Sequence, residues 1–398
     1  MLRLLHTLAA IALTPAVFAV QPPNDAVPAT SAVPGMVESR SIVFDYGKYD
    51  PYDRTNLYGF NHAPSIIRIS GSRLQTAWFS GPFEGSIHQV ILGASSEDGG
   101  RTWNAAKVLN DAPHLSDFDP SFINAGDRTL LFFSTGRWTR WPPVDYRKSK
   151  QEQVGGRSFT IHMRQLPHDT DHWSDAVSIG SEPGWNSRSD GIRLSTGELL
   201  LPTHRLEPQP YVASVLISQD NGKTWTRGPE IKTPGMIGAA EPSVAELPDG
   251  SLIMALRVND GRIWFARSRD HGRNWSQPER TKLNAATSSS NVFCTSGGQL
   301  VLTYNSSSPE RTQLSLRVSK DGGKSWSALL PLVEVKQPLR DEEVFSRQVC
   351  YPSVCELENG RLRIVWADIE MSATRQAGII KSALVRLYPD RSGSERNH

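Results

Sequence analysis

Short segments in which apolar and polar residues alternate recur along the chain, the pattern of strands that bury one face. Ile263-Trp264-Phe265-Ala266-Arg267 and Leu314-Ser315-Leu316-Arg317-Val318 are two of them. Each runs into a turn of the form Ser-x-Asp-x-Gly-x-x-Trp, present at Ser96–Trp103, Ser218–Trp225, Ser268–Trp275 and Ser319–Trp326, with a degenerate copy ending at Trp173. A second strand type precedes it, a turn ending in Gly followed by Leu-rich residues, as in Glu246 to Met254, Gly298 to Leu302 and Glu358 to Val365. The turn itself reads as a hairpin. Its Asp accepts backbone N–H bonds, its Gly takes a positive φ, and its Trp packs into the sheet layer.

The spacing sets the architecture. From Trp173 through Trp225 and Trp275 to Trp326 the intervals are 52, 50 and 51 residues. The longer first interval, from Trp103, is explained by an insertion around Arg137 to Gly156. About fifty residues with four short strands per unit is propeller arithmetic. The expectation is an all-β chain, a six-bladed β-propeller of four-stranded antiparallel blades, covering residues 39–388. The repeated turns are structural in this reading and carry no ligand.

Composition narrows the class. The 398 residues include 11 Trp, 31 Gly and 27 Pro with 38% hydrophobic residues, which suits a turn-rich β protein. The formal charge is +2, so nothing points to nucleic acid. The short basic run Arg147-Lys148-Ser149-Lys150 reads as a solvated loop. Residues 1–19 have a positive start, an apolar stretch from Leu8 to Leu13 and a small-residue site ending at Ala19, the plan of a secretory signal peptide. That stretch is too short to span a bilayer. Residues 20–38 are expected to be a flexible N-terminal segment and residues 389–398 a disordered tail. The chain is expected to be exported, periplasmic or secreted, without a membrane span, and a monomer. Of Cys294, Cys350 and Cys355, the last two are too far apart on a strand to bridge. Cys294 pairs with one of them, or all three are buried thiols; both readings are open. No metal-ligand cluster is visible and no cofactor is implied.

The Ser-x-Asp-x-Gly-x-x-Trp turns resemble the Asp-box, or BNR, repeats of sialidases and related six-bladed propellers, over essentially the whole of residues 39–388. The resemblance implies a glycosidase with a Tyr nucleophile in place of a carboxylate, because the anomeric carbon of sialic acid carries its own carboxylate. It also implies a Glu that activates the Tyr, an acidic residue that protonates the leaving oxygen, and an arginine clamp on the substrate carboxylate. Glu241-Pro242-Ser243 through Arg257 is similar to the segment holding the activating Glu and the second clamp Arg. Arg311 stands at the place of the third Arg, and Tyr351, in Val349-Cys350-Tyr351-Pro352-Ser353, at that of the nucleophile.

The first blade departs from that pattern. His62, in Asn61-His62-Ala63-Pro64-Ser65-Ile66, stands where the first clamp Arg is expected, either as a charged binder or as a neutral donor. Glu84, in Gly81-Pro82-Phe83-Glu84-Gly85, takes the place of the acid/base Asp. This looks like a divergent branch of the superfamily, and it makes a different acidic sugar, or a neutral one, plausible. Arg188 and Arg347 are candidates to supply the missing cation. His88, His114, Asp117, Asp119, Asp190 and His204 are weaker candidates for the substrate walls. The resulting expectation is an exo-acting glycoside hydrolase that removes a terminal acidic sugar from a glycan. Two alternatives stand beside it: a polysaccharide lyase using His62 and Tyr351, and a glycan-binding propeller without activity.

Overall fold

The computed structural model describes residues 33–47, 58–141, 152–179, 182–206, 209–338 and 343–389, with 138–141 and 152–157 as backbone alone. The expected signal peptide and the tail from residue 390 lie outside these residues, as does the tip of the 137–156 insertion. That insertion lengthens one hairpin, Arg128–Trp141 paired with Glu152–Pro167.

Six antiparallel sheets follow one another as blades of a propeller. Blade 1 runs from its inner strand Phe60–Ser70 to its outer strand Lys107–Asn110, and blade 2 from Ser116–Asn124 to Val177–Ser178. Blade 3 has a split inner strand, Trp185–Ser187 and Ile192–Arg193, both paired with Leu199–Arg205. Blades 4 and 5 begin at Ala240–Glu246 and Asn291–Cys294. Blade 6 takes three strands from Val344 to Leu387, and Gly35–Phe44 completes it by pairing with Gln376–Leu387. The ring is therefore closed by a strand from the opposite end of the chain. That strand starts at Gly35, so residues 35–38, expected to be flexible, are ordered in it.

The apolar faces pack blade against blade. Trp78 and Phe79 of blade 1 share a cluster with Phe118 and Phe133 of blade 2 and with Val365 of blade 6. Clusters containing Val215 with Val244, Ile253 with Val292, Val301 with Val354, and Ile123 with Leu199 fill the other interfaces. Cys294, Cys350 and Cys355 are free thiols, so the paired alternative does not occur.

Each of the four repeated turns has one geometry. Asp98 accepts from Thr102 N at 2.9 Å, from the Thr102 hydroxyl at 2.7 Å and from the Ser96 hydroxyl at 2.9 Å. Asp220, Asp270 and Asp321 repeat the set on their own Ser and position-four partners. Gly100, Gly222, Gly272 and Gly323 take φ of 82° to 88° and donate their N–H to the box Ser. Burial acts the other way on Asp98, yet its Thr102 and Ser96 donors hold it at about 2. Asp220 sits at about 2 through the Thr224 hydroxyl and N–H. Both folded values lie below the unfolded value of about 3.9. This contribution is therefore complete above about pH 4 and is lost as pH falls toward 2. The thermal midpoint is expected to fall over that window. An Asp98→Asn, Asp220→Asn double variant, with a lower midpoint at neutral pH, should show a shallower acid decline; an equal decline would refute the assignment.

A second recurrence positions the site. Ala63-Pro64-Ser65, Asp119-Pro120-Ser121, Glu241-Pro242-Ser243 and Tyr351-Pro352-Ser353 occupy the same place on four inner strands. In each, the register slips between the residue before the tip and the Ser, and the tip residue takes φ of 44° to 59°. These are β-bulges, which turn an extra side chain out of the ladder. The left-handed backbone costs a non-Gly residue about 1–3 kcal/mol and is held only where surroundings demand it. The Ser that follows ties blades together. Ser243 Oγ accepts from Val292 N at 3.0 Å and Ser353 Oγ accepts from Ile66 N at 3.1 Å.

Asp190, in the break of the blade 3 inner strand, gathers several blades toward the axis. It accepts from Ser65 Oγ of blade 1, from Phe122 N of blade 2 at 2.7 Å and from Ser353 Oγ of blade 6 at 2.6 Å. All three donor residues are buried. Asp190→Ala strands those donors and is expected to lower stability by roughly 3 kcal/mol in urea unfolding. A loss below about 0.5 kcal/mol would show that the hub is dispensable.

Candidate active site

A cavity of about 730 Å³ opens at the end of the propeller where the bulges lie. Three bulge tips face it: Asp119 from blade 2, Glu241 from blade 4 and Tyr351 from blade 6. His62 and Glu84 of blade 1, His204 of blade 3, Arg257 of blade 4 and Arg311 from the loop before Gln313–Ser319 also line it.

At its floor three side chains meet on one oxygen. The Tyr351 hydroxyl donates to Glu241 Oε1 at 2.8 Å, and Arg257 Nη1 donates to the same Oε1 at 2.6 Å. Arg257 Nη1 also donates to the Tyr351 oxygen at 2.9 Å. Burial alone would raise the Glu241 carboxyl, but Arg257, His204 and Arg188 hold it below its usual value. Glu241 is thus an anion placed to accept the phenolic proton. Burial and the Glu241 charge push the Tyr351 phenol above its ordinary value, so it rests protonated. The other oxygen of Glu241, Oε2, is buried and has no partner among the described residues.

Cations surround the Tyr351 ring. The Arg188 guanidinium lies 4.8 Å from the ring centroid and that of Arg311 lies 5.5 Å away. Arg311 is oriented by Thr287 O, which accepts from Nε at 3.1 Å and Nη2 at 2.7 Å. Its Nη1 points at Gln348 Oε1, 3.5 Å away. Arg188 is 2% exposed, and its Nε and Nη2 find no partner among the described residues.

On the blade 1 side His62 sits among aromatic rings. The His62 ring stacks on Phe79 at 5.3 Å and meets Tyr351 edge-on at 4.2 Å. Burial, then Arg311, Arg188 and Arg257, lower its pKa well below the ordinary value. Of the two readings of His62, the neutral ring is the one this environment supports.

The structure gathers most of the sequence candidates, and separates others. Arg347 does not line the cavity; it pairs with Asp368 at 3.7 Å and Glu370 at 3.2 Å on the neighbouring strand. Asp117 faces away, where it accepts from Asn110 at 2.7 Å and Thr135 at 2.5 Å. His88 and His114 are exposed and off the cavity. Residues that sequence reasoning passed over include Tyr211, Gln348 and the Phe60, Phe79 and Phe118 walls. The Pro-Ser pair that recurs on four inner strands marks the bulge tips, three of which face the funnel, and points to Asp119 but to none of these five.

Six four-stranded blades carrying four Asp-box turns define a class of protein, the BNR-repeat propellers. Residues 72–364 match the family model described as a BNR repeat-like domain, and the chain belongs to that family, within the sialidase superfamily. A sialidase of Paraclostridium sordellii is 29% identical over 223 residues, 50% of this chain and 53% of that protein. A sialidase of Bacteroides fragilis is 23% identical over 278 residues, 60% of this chain and 48% of that protein. The chain thus spans about half the length of these relatives. Among solved structures, a Dyadobacter fermentans protein of unknown function superposes with a TM-score of 0.70 at 15% identity, over 89% of this chain and 100% of that one. The NanB sialidase of Streptococcus pneumoniae gives 0.67 at 14% identity, over 89% and 71%. Those two likenesses concern the fold.

Proposed function

We propose that this protein is a sialidase-type, exo-acting glycoside hydrolase that releases a terminal acidic sugar, of sialic acid type, from a glycan. The observation that carries the reading is the Tyr351 hydroxyl donating at 2.8 Å to a Glu241 that Arg257 holds ionised. A phenol with a usual pKa of about 10 is a weak nucleophile at neutral pH unless a base takes its proton as it attacks. Glu241 is that base. A neutral nucleophile also avoids repulsion from the carboxylate on the anomeric carbon.

Arg257 and Arg311 are the cations available to that carboxylate. Arg257 has Nε and Nη2 beyond the nitrogen committed to Glu241, and charge-assisted bonds of this kind give both affinity and orientation. With a neutral His62 on the blade 1 side, two arginines rather than three form the clamp. An exported chain, as the leader-like residues 1–19 imply, would meet such glycans outside the cytoplasm.

The test is incubation with α-sialosides and with uronate-containing polysaccharides, followed by product analysis. Free monosaccharide from the sialosides is the expected result. An unsaturated, UV-absorbing uronate would instead establish a lyase, and binding without turnover on any glycan would leave a lectin.

A further inference from the structure

The proposed reaction needs a second carboxyl to protonate the departing oxygen, and the cavity offers Glu84 and Asp119. Asp119 stands on an inner strand, at the same bulge position as Glu241 and Tyr351, with φ of 52°. The Ser187 hydroxyl fixes its backbone by donating to Asp119 O at 3.2 Å. No donor among the described residues holds its carboxylate, whereas Glu241 is committed to Arg257 and Tyr351. Glu84 lies instead on the loop between two strands, where its N–H donates to Gln376 Oε1 at 3.3 Å.

We propose that Asp119, rather than Glu84, is the acid/base residue; this rests on the hydrolase reading above. In the first step the Tyr351 oxygen bonds to the anomeric carbon and the glycosidic C–O bond breaks. The phenolic proton goes to Glu241, and the Asp119 proton goes to the leaving oxygen. In the second step Asp119 takes a proton from water, whose oxygen bonds to the anomeric carbon as the Tyr351–carbon bond breaks. The phenolate recovers its proton from Glu241.

The surroundings agree with that role. Asp119 is faced by Glu84 from blade 1, Arg188 from blade 3, Glu241 and Arg257 from blade 4, and Tyr351 from blade 6. Burial raises its carboxyl, Arg188 opposes this, and Glu241 and Glu84 add to it, which leaves it at about 7. A carboxyl poised there can both give and take a proton at neutral pH. As a raised acid it carries its proton below about 7 and loses it above. The acid role therefore fades on the alkaline side.

The experiment compares Asp119→Asn, Glu84→Gln and Tyr351→Phe on two probes, a nitrophenyl α-sialoside and a lactosyl α-sialoside. The nitrophenol leaves without a proton; the sugar does not. Asp119→Asn is expected to lose roughly 10²–10⁴-fold on the lactosyl probe. On the nitrophenyl probe it should release a burst of phenol stoichiometric with enzyme and then turn over slowly, because water is no longer activated. The alkaline limb of kcat/KM near pH 7 should disappear with it, and Asp119→Glu should restore the limb.

Equal losses on both probes without a burst would mean that Asp119 only shapes the site. The same selective loss in Glu84→Gln would hand the role to Glu84. Either result overturns the proposal and leaves the hydrolase reading intact. Full turnover of both probes by Tyr351→Phe would remove the tyrosine from the mechanism, whereas no release of sugar from either probe by the unaltered protein would overturn the hydrolase reading, and this proposal with it. Thermal midpoints identify any variant that fails to fold, in which case Asp119→Glu carries the comparison.

Discussion

Replacing Tyr351 with Phe is expected to cut turnover of α-sialosides by roughly 10³-fold while the protein stays folded. The substitution removes one oxygen and keeps the ring, so the edge-on contact with His62 at 4.2 Å and the flanking guanidinium of Arg188 at 4.8 Å persist. Glu241 Oε1 loses one donor but keeps Arg257 at 2.6 Å, so the carboxylate is not left alone. The stability change should therefore be about that of one hydrogen bond, ~1 kcal/mol. Steady-state kinetics beside a thermal midpoint checks both halves. A large loss of both stability and activity would mean that Tyr351 serves the fold, whereas full activity would remove it from the mechanism.

Arg257→Met should lower stability about as much as Asp190→Ala, and activity with it. Glu241 is 8% exposed and Oε2 already lacks a partner among the described residues, so losing Arg257 leaves a buried carboxylate with its ion-pair partner gone and only the Tyr351 hydroxyl as donor. Breaking such a pair costs about 3–5 kcal/mol, and the partly exposed Arg257 side chain places this one near 3. The sign with pH follows from the direction of the shift. In the wild type the folded Glu241 value is depressed, so its contribution is complete above the unfolded value of about 4.3 and is lost as pH falls below it. In the variant burial dominates and raises that value, so the carboxylate destabilises the fold increasingly as pH rises. Urea unfolding should show the full deficit near pH 7 and a smaller one near pH 4. A deficit independent of pH would contradict the pairing. Activity should fall as well, because both the base and the clamp lose their anchor.

The two kinds of information in the chain differ in how visible they are. The blade count follows from a local signal, because each Asp box is a self-contained turn whose donors and acceptors lie within five residues of one another. The site residues are scattered over more than 280 positions from His62 to Tyr351, and only a family resemblance links them before the ring closes. That resemblance put Tyr351, Glu241, Arg257, Arg311, His62 and Glu84 forward, and all six line one cavity.

The departures have a common cause. Counting backwards from Tyr351 with a period of two puts Arg347 on the funnel side. The bulge between Cys350 and Ser353 inserts an extra residue, so Ser346 and Gln348 face the cavity and Arg347 turns to Asp368 and Glu370. The slip between Phe118 and Ser121 acts the same way on blade 2 and separates Asp117 from Asp119. A one-residue register change moves every side chain beyond it to the other face. Arg188 depends on another irregularity, the break in the blade 3 inner strand, which brings it under the Tyr351 ring. The neutral state of His62 depends first on its burial and then on three arginines from blades 3, 4 and 5, none of which a local segment reveals.

The central claim is that Tyr351 carries the glycosyl group between the two steps. It is tested most directly by trapping, with an activated α-sialoside whose ring is fluorinated so that the second step is slower than the first. Intact-mass analysis should then show one glycosyl unit per chain, peptide mapping should place it on Tyr351, and Tyr351→Phe should remain unlabelled. Turnover with the label on another residue, or labelling that persists in Tyr351→Phe, would contradict the account.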